Sequence, residues 1–121
     1  MTYDSVDRVD STLAAGVSYL VAKISFARRM DLMRRVRELA RRAEFLEAGK
    51  DAGERLDAAL LRAEIDRLYV TWGLRGIDGL ELDGEPATPE SLLDFGPEDL
   101  FREALAAVRA AAGLSAVERK N

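Results

Sequence analysis

The chain has 121 residues, 48% of them hydrophobic and 33% charged, with a net charge of −4. That length fits one domain with a modest core. The acidic total argues against nucleic acid as the partner of the whole molecule. With no cysteine and no histidine, disulfides, thiolate metal sites and the commonest general base and transition-metal ligand are excluded. No apolar run approaches the roughly 20 residues of a membrane-spanning helix. The start carries Asp4, Asp7 and Asp10 instead of a basic, then apolar, secretory leader. A cytoplasmic protein without a membrane span is the expectation.

Residues 1–15 are polar, acidic and aperiodic, and read as a flexible arm, with residues 16–121 as a single mainly helical domain. After Gly16, Val17, Tyr19 and Val21 alternate with Ser18, Leu20 and Ala22. This predicts a strand covered at least partly on both faces, which then needs a partner strand. Ser25 can cap a helix over 26–48, where Leu32, Val36, Leu39, Ala43 and Leu46 follow helical spacing and Met30, Met33 and Ala40 widen the stripe. Gly49 ends it. A second helix is predicted over 52–72, with a seam of Leu61, Ile65, Leu68 and Trp72 broadened by Leu56, Ala59, Leu60 and Ala63, and with Gly73 as its stop. The short link between the two predicts an antiparallel hairpin.

Residues 73–88 are rich in turns. Leu80 and Leu82 alternate with Glu81 and Asp83 before the turn pair Asp83-Gly84, which suggests the short strand that pairs with the first. Thr88-Pro89-Glu90 places a cap, a proline at N1 and an acid in a first turn. Gly96-Pro97-Glu98-Asp99 repeats the device for a helix over 97–112 with Leu100, Ala104, Ala107, Val108 and Ala111 facing the core. Ser115 and Glu118 form a capping box for a last turn. The fold class is therefore mainly α within α+β: an antiparallel helical hairpin plus C-terminal helices, with a small N-terminal β-strand or hairpin.

Four constellations bear on function. Lys23, Arg28, Arg29, Arg34, Arg35, Arg37, Arg41 and Arg42 stand against Asp31 and Glu38 alone, a local excess of six positive charges. Such a helix suits phosphates or an acidic partner. It also suits a solvated face neutralised within the protein, because the stretch from Leu74 to Glu103 holds nine acids and only Arg75 and Arg102. Aromatic residues are not interleaved with the arginines as a single-strand binder requires, so an acidic protein partner is the better match. The acids Asp78, Glu81, Asp83 and Glu85 break the order of a calcium loop at Asp83-Gly84-Glu85-Pro86 and lack a second wall for acid–base work. A charged turn explains them. Trp72, in Tyr69-Val-Thr-Trp72-Gly-Leu74, is a core anchor before it is an interface residue. No serine lies in a glycine-rich elbow, no lysine matches one, and Gly73, Gly76 and Gly79 lack the lysine and context of a phosphate loop. No catalytic, cofactor or metal residues are assigned, and the chain does not read as an enzyme.

Ser25-Phe26 with Arg28-Arg29, Tyr69 to Leu74, the run from Gly79 to Thr88, Gly96-Pro97-Glu98-Asp99-Leu100, and Gly113-Leu114-Ser115 with Glu118-Arg119-Lys120-Asn121 together resemble small tail assembly chaperones of tailed phages and prophages. The likeness spans most of the chain after residue 16. It implies a helical, non-catalytic protein of the host cytoplasm, without a cofactor, that binds the tail tape measure protein and tail tube subunits during morphogenesis. Other readings are a structural tail or baseplate component, and a nucleic-acid-associated regulator using the arginine helix. The residues expected to bind partners are Arg28, Arg29, Met30, Met33, Arg34, Arg37, Arg41 and Trp72, since methionine adapts to varied partners, although buried core is the more expected role for both methionines. The split of charge between the halves allows a homo-oligomer, with one protomer's arginine helix against another's acidic segment.

Overall fold

The structure is a computed structural model, and it describes residues 1–113. The expected capping box at Ser115 and Glu118 lies outside the described residues. The elements in chain order are strands β1 (Val6–Asp10) and β2 (Ser18–Ala22), helices α1 (Phe26–Glu47) and α2 (Ala52–Gly73), strands β3 (Leu74–Asp78), β4 (Glu81–Leu82) and β5 (Glu85–Pro86), and helices α3 (Pro89–Phe95) and α4 (Glu98–Ala112). The α+β class, mainly helical with a small antiparallel sheet, is the class the sequence predicts.

The chain divides into two compact units. One joins residues 1–24 to the segment from Tyr69 onward, and the other is residues 25–68. The helical hairpin is inserted between β2 and β3, two strands that pair with each other, so the unit that contains the sheet closes without it.

In that first unit the sheet order is β1-β2-β3, antiparallel throughout. Residues 1–15, expected as a flexible arm, carry an edge strand. Its register sets Val6 opposite Ala22 and Asp10 opposite Ser18. The exposed charges Asp7, Arg8 and Asp10 hid it from a hydrophobic pattern, yet charge is how an edge strand avoids further pairing. Arg8 reaches Asp78 of β3 at 2.8 Å, Lys23 reaches Asp7 at 3.5 Å, and the Ser18 hydroxyl donates to Asp10 Oδ1 at 2.8 Å.

The partner of β2 on its other side is β3, whereas the sequence suggests Leu80 to Leu82. Those residues lie instead in and beside β4, which pairs with β5 through a tight turn with φ of 53° at Asp83 and 82° at Gly84. Both central residues in the left-handed region mark a type I′ hairpin, which Asp-Gly favours. The β2–β3 register slips between Leu20 and Val21, with Gly76 opposite Leu20 and Leu74 opposite Val21. Arg75 is thus the extra residue of a bulge. A bulge breaks the period of two, and Leu74 and Ile77, three apart, are both buried.

The core of this unit joins Val17, Tyr19 and Val21 from β2 and its approach, Leu74 and Ile77 of β3, Leu92 of α3, and Leu100, Ala104, Leu105, Val108 and Ala112 of α4. Leu100, Ala104, Val108 and Ala112 recur every fourth residue, so one face of α4 is apolar and packs on β2. Ala107 and Ala111, expected in the core, are only partly covered, and Leu105 and Ala112 take their places. Thr88 and Ser91 form a reciprocal capping box for α3 (Ser91 N–H to Thr88 Oγ1, 3.0 Å; Thr88 N–H to Ser91 Oγ, 2.9 Å), with Pro89 at the first turn. Gly79 has φ +83°, and a Cβ there would lie 2.0 Å from the Gly16 carbonyl oxygen. Only glycine fits this crossing.

The second unit is the hairpin of α1 and the first part of α2. The Ser25 hydroxyl caps α1 by accepting from Arg28 N–H at 3.3 Å. Glu47 and Arg62 tie the two helices with paired hydrogen bonds of 2.9 and 3.2 Å. That arrangement lowers the carboxyl pKa through the Arg62 hydrogen bonds. Leu32, Ala43, Ala58 and Ile65 are buried.

A candidate interaction face on the inserted hairpin

The fully buried positions of the hairpin are few, and large apolar side chains lie outside them. Phe26 is 83% exposed, Phe45 77%, Met30 47% and Met33 40%, and Leu56 and Leu60 of α2 are also exposed. The expectation of a core role for the methionines is corrected. Leu32 and Ala43 mark the covered face of α1, and at 100° per residue Met30, Met33 and Phe26 project about 100–160° away from Leu32. Leu56, Ala59, Leu60 and Ala63, expected to broaden the α2 seam, are exposed as well, while Ala58 and Ile65 hold the buried positions.

The arginines share the exposed side. Phe26, Met30, Met33, Arg37 and Arg41 follow one another at spacings of four, three, four and four, and so form a single row, with Arg34 and Phe45 beside it. Among the described residues Arg34, Arg37, Arg41 and Arg42 form no ion pair. Arg35, on another side, is engaged by Asp31 at 3.3 Å. Neutralisation within the protein thus accounts for Arg35 and Arg62 and not for the outer row. Arg34, Arg37, Glu38, Arg41 and Arg42 line one shallow groove, and Arg41, Arg42, Phe45 and Leu46 a second. Every lining residue in both belongs to α1, so neither groove has an opposing wall. This surface can hold an extended or helical partner and cannot enclose a small molecule.

Of the eight residues expected to bind partners, the fold brings Met30, Met33, Arg34, Arg37 and Arg41 onto this face. Arg28 and Arg29 are partly covered and lie off the row. Trp72 is partly covered on the last turn of α2, in the unit that contains the sheet. Phe26 and Phe45 were missing from the expected set. Their distance from the Leu32–Ala43 stripe on a helical wheel is the signal that identifies them.

Among the described residues, the most perturbed acid lies elsewhere, on α4. Partial burial pushes the Glu103 pKa up, but four hydrogen bonds outweigh it and hold the group at about 2. The donors are Ser11 Oγ (2.5 Å), Thr12 N–H (2.8 Å), Thr12 Oγ1 (2.9 Å) and the Tyr19 hydroxyl (2.7 Å). Burial, and then the hydrogen bond to Glu103, raise the Tyr19 pKa. A carboxylate with its acceptor sites filled by the β1–β2 loop fastens that loop to α4. The acids Asp78, Glu81, Asp83 and Glu85 sit at the Arg8 ion pair and along the β4–β5 hairpin, and the described residues contain no cluster of acids placed to hold a metal ion. No described helix is long and apolar enough to cross a membrane.

Compared with protein-family models, curated proteins and solved structures, the chain matches none.

Proposed function

We propose that this protein is a non-catalytic interaction module of the tail-assembly-chaperone kind, which presents the inserted hairpin to a helical partner. One observation carries this reading: a hairpin with few buried side chains exposes Phe26, Met30, Met33 and Phe45 beside arginines that no described acid neutralises. An exposed apolar patch interleaved with unpaired charge marks a protein-binding surface. Methionine and phenylalanine seat the apolar ridge of an amphipathic helix, and the arginines meet its acidic flank. The sequence resemblance supplies the identity of the partner, a long helical tape measure protein together with tail tube subunits, and a cytoplasmic setting.

The test is co-expression with the proteins encoded beside this gene, followed by affinity capture and mass spectrometry. Wild type should retain a tape-measure-like or tube protein, and the pair Met30→Glu and Met33→Glu should lose it while keeping helical circular dichroism. Capture unchanged by those substitutions in a folded protein refutes the assigned face. Failure of wild type to capture either partner, with the protein found instead in finished particles or on DNA, refutes the assembly role.

A further inference from the structure

The two units of the chain are held together by unequal means. Among the described residues, five of the six largest fully buried side chains, Tyr19, Val21, Val70, Leu92 and Val108, belong to the unit that contains the sheet, and only Leu32 belongs to the hairpin. The hairpin closes on Leu32, Ile65 and two alanines, Ala43 and Ala58, with Val36, Leu39 and Leu61 partly covered. An alanine brings one methyl to such a seam, so most of the apolar gain comes from two side chains. The Glu47–Arg62 pair is half exposed on both partners, and a solvated pair of that kind adds little.

Both ends of the hairpin leave from anchored positions. Before it, the Lys23 N–H donates to the Ser5 carbonyl at 2.8 Å. After it, Tyr69 and Val70 are buried, and Gly73 leaves room for Val108 where a Cβ would lie 2.5 Å from Cγ1. Strands β2 and β3 pair with each other. All these contacts lie within the unit that contains the sheet, so none of them is broken when α1 parts from α2. We propose that α1 and residues 52–68 of α2 open and close as one unit while the sheet stays formed, and that occupation of the α1 face holds them closed. The second half rests on the reading of α1's outer side as a docking face. Met30, Met33, Arg37 and Arg41 form a row only while α1 is helical, and a helix in a protein owes most of its stability to packing. An open hairpin therefore loses the row. A partner that binds only the closed state shifts the population toward it, and its apparent affinity falls with the fraction that is closed. Affinity is then set in part by residues that never touch the partner.

Hydrogen exchange of the full chain without a partner, read by mass spectrometry, tests the opening. Amides of α1 and residues 52–68 should be at least about tenfold less protected than those of β2 and α4. Ile65→Ala, on the buried side of α2, should lower protection of α1 and residues 52–68 by about a further tenfold or more and leave β2 and α4 unchanged. Should that variant leave too little closed hairpin to measure, Ile65→Val gives the graded form, a loss of about two- to tenfold. Equal protection across both units overturns the opening, as does protection of β2 and α4 that falls in step with that of α1. Affinity capture from the co-expression test reads the coupling. Ile65→Ala should weaken capture in proportion to the closed fraction that exchange reports, and undiminished capture by a mostly open hairpin overturns the coupling. A uniformly protected chain that captures a tape-measure protein through Met30 and Met33 overturns this inference alone and leaves the proposed function standing. A hairpin that opens in a chain that captures no partner bears out the opening and refutes the proposed function.

Discussion

Glu103→Gln removes a charge while keeping the shape of the side chain, and its cost follows from the four donors around the carboxylate. A glutamine oxygen can accept from the Thr12 N–H and Thr12 Oγ1, but its amide nitrogen would then face the Ser11 and Tyr19 hydroxyls, which would have to turn from donating to accepting, and Ser11 Oγ already accepts from the Leu13 and Ala14 N–H groups. The folded pKa of about 2 against an ordinary 4.5 corresponds to roughly 3 kcal/mol at neutral pH. Solvent reaches part of this carboxylate, so screening reduces the expectation to about 1–2 kcal/mol. Because the folded pKa lies below the unfolded one, this stabilisation is complete above about 4.5 and is lost as pH falls toward 2. Urea unfolding followed by the fluorescence of Trp72, which belongs to the unit that holds Glu103, should show the deficit at neutral pH. By about pH 3 the gap between wild type and variant should shrink to less than half. Tyr19→Phe in a double-mutant cycle should couple to Glu103→Gln, since either substitution alone disrupts the 2.7 Å hydrogen bond from the hydroxyl to the carboxylate. A deficit under about 0.3 kcal/mol at neutral pH, or one that does not change with pH, would refute the assignment of Glu103 as the fastening for the β1–β2 loop.

Gly73→Ala should destabilise by about 1–3 kcal/mol in a urea melt, against the usual helix preference of alanine, because its Cβ would lie 2.5 Å from Val108 Cγ1. Leu92→Ala, at a fully buried site, should cost about 2–5 kcal/mol, whereas Phe45→Ser on the exposed face should change stability by no more than about 0.5 kcal/mol in the same assay. In an alkaline spectrophotometric titration, the Tyr19 phenol should ionise only above the ordinary tyrosine range, since burial and Glu103 both raise its pKa. The stability this gives is complete below pH 10 and lost as pH rises beyond it.

What the sequence made legible is what local chemistry writes. Ser25 before an apolar repeat starts α1, Thr88-Pro89 starts α3, and Asp83-Gly84 turns β4 into β5, each through a few neighbouring residues. The missed elements depend on distance along the chain or on a broken pattern. Strand β1 carries too little apolar character to be seen alone and is specified by its register with β2. Strand β3 begins directly after α2, and the bulge at Arg75 removes its alternation. Glu103 meets Ser11 and Thr12 across more than ninety residues, and nothing local marks that meeting. At the candidate face, spacing placed Met30, Met33, Arg34, Arg37 and Arg41 together, but apolar residues on two sides of α1 made a core stripe the more expected place for the methionines. Only the observed burial of Leu32 and Ala43 separates the two sides.

The division of labour between the units explains how the chain can carry so exposed an apolar surface. Strands β2 and β3 pair with each other although the whole hairpin lies between them in sequence. The sheet pairing, the cap of α3 and the Glu103 hydrogen bonds to the β1–β2 loop are all made within the unit that contains the sheet. Substitution along the outer row of α1 should leave the unit that contains the sheet as stable as before. The hairpin differs, because its two helices are joined by a short link and the Glu47–Arg62 contact around few buried side chains. A surface rich in phenylalanine, methionine and arginines without an ion pair among the described residues adds little to the stability of a hairpin, and the proposed partner would account for its composition. On that reasoning a bound partner should protect the amides of α1 and the hairpin part of α2 from hydrogen exchange far more than those of β2 and α4. Uniform protection across both units would instead tie the binding energy to the fold as a whole and remove the distinction on which the assignment of the face depends.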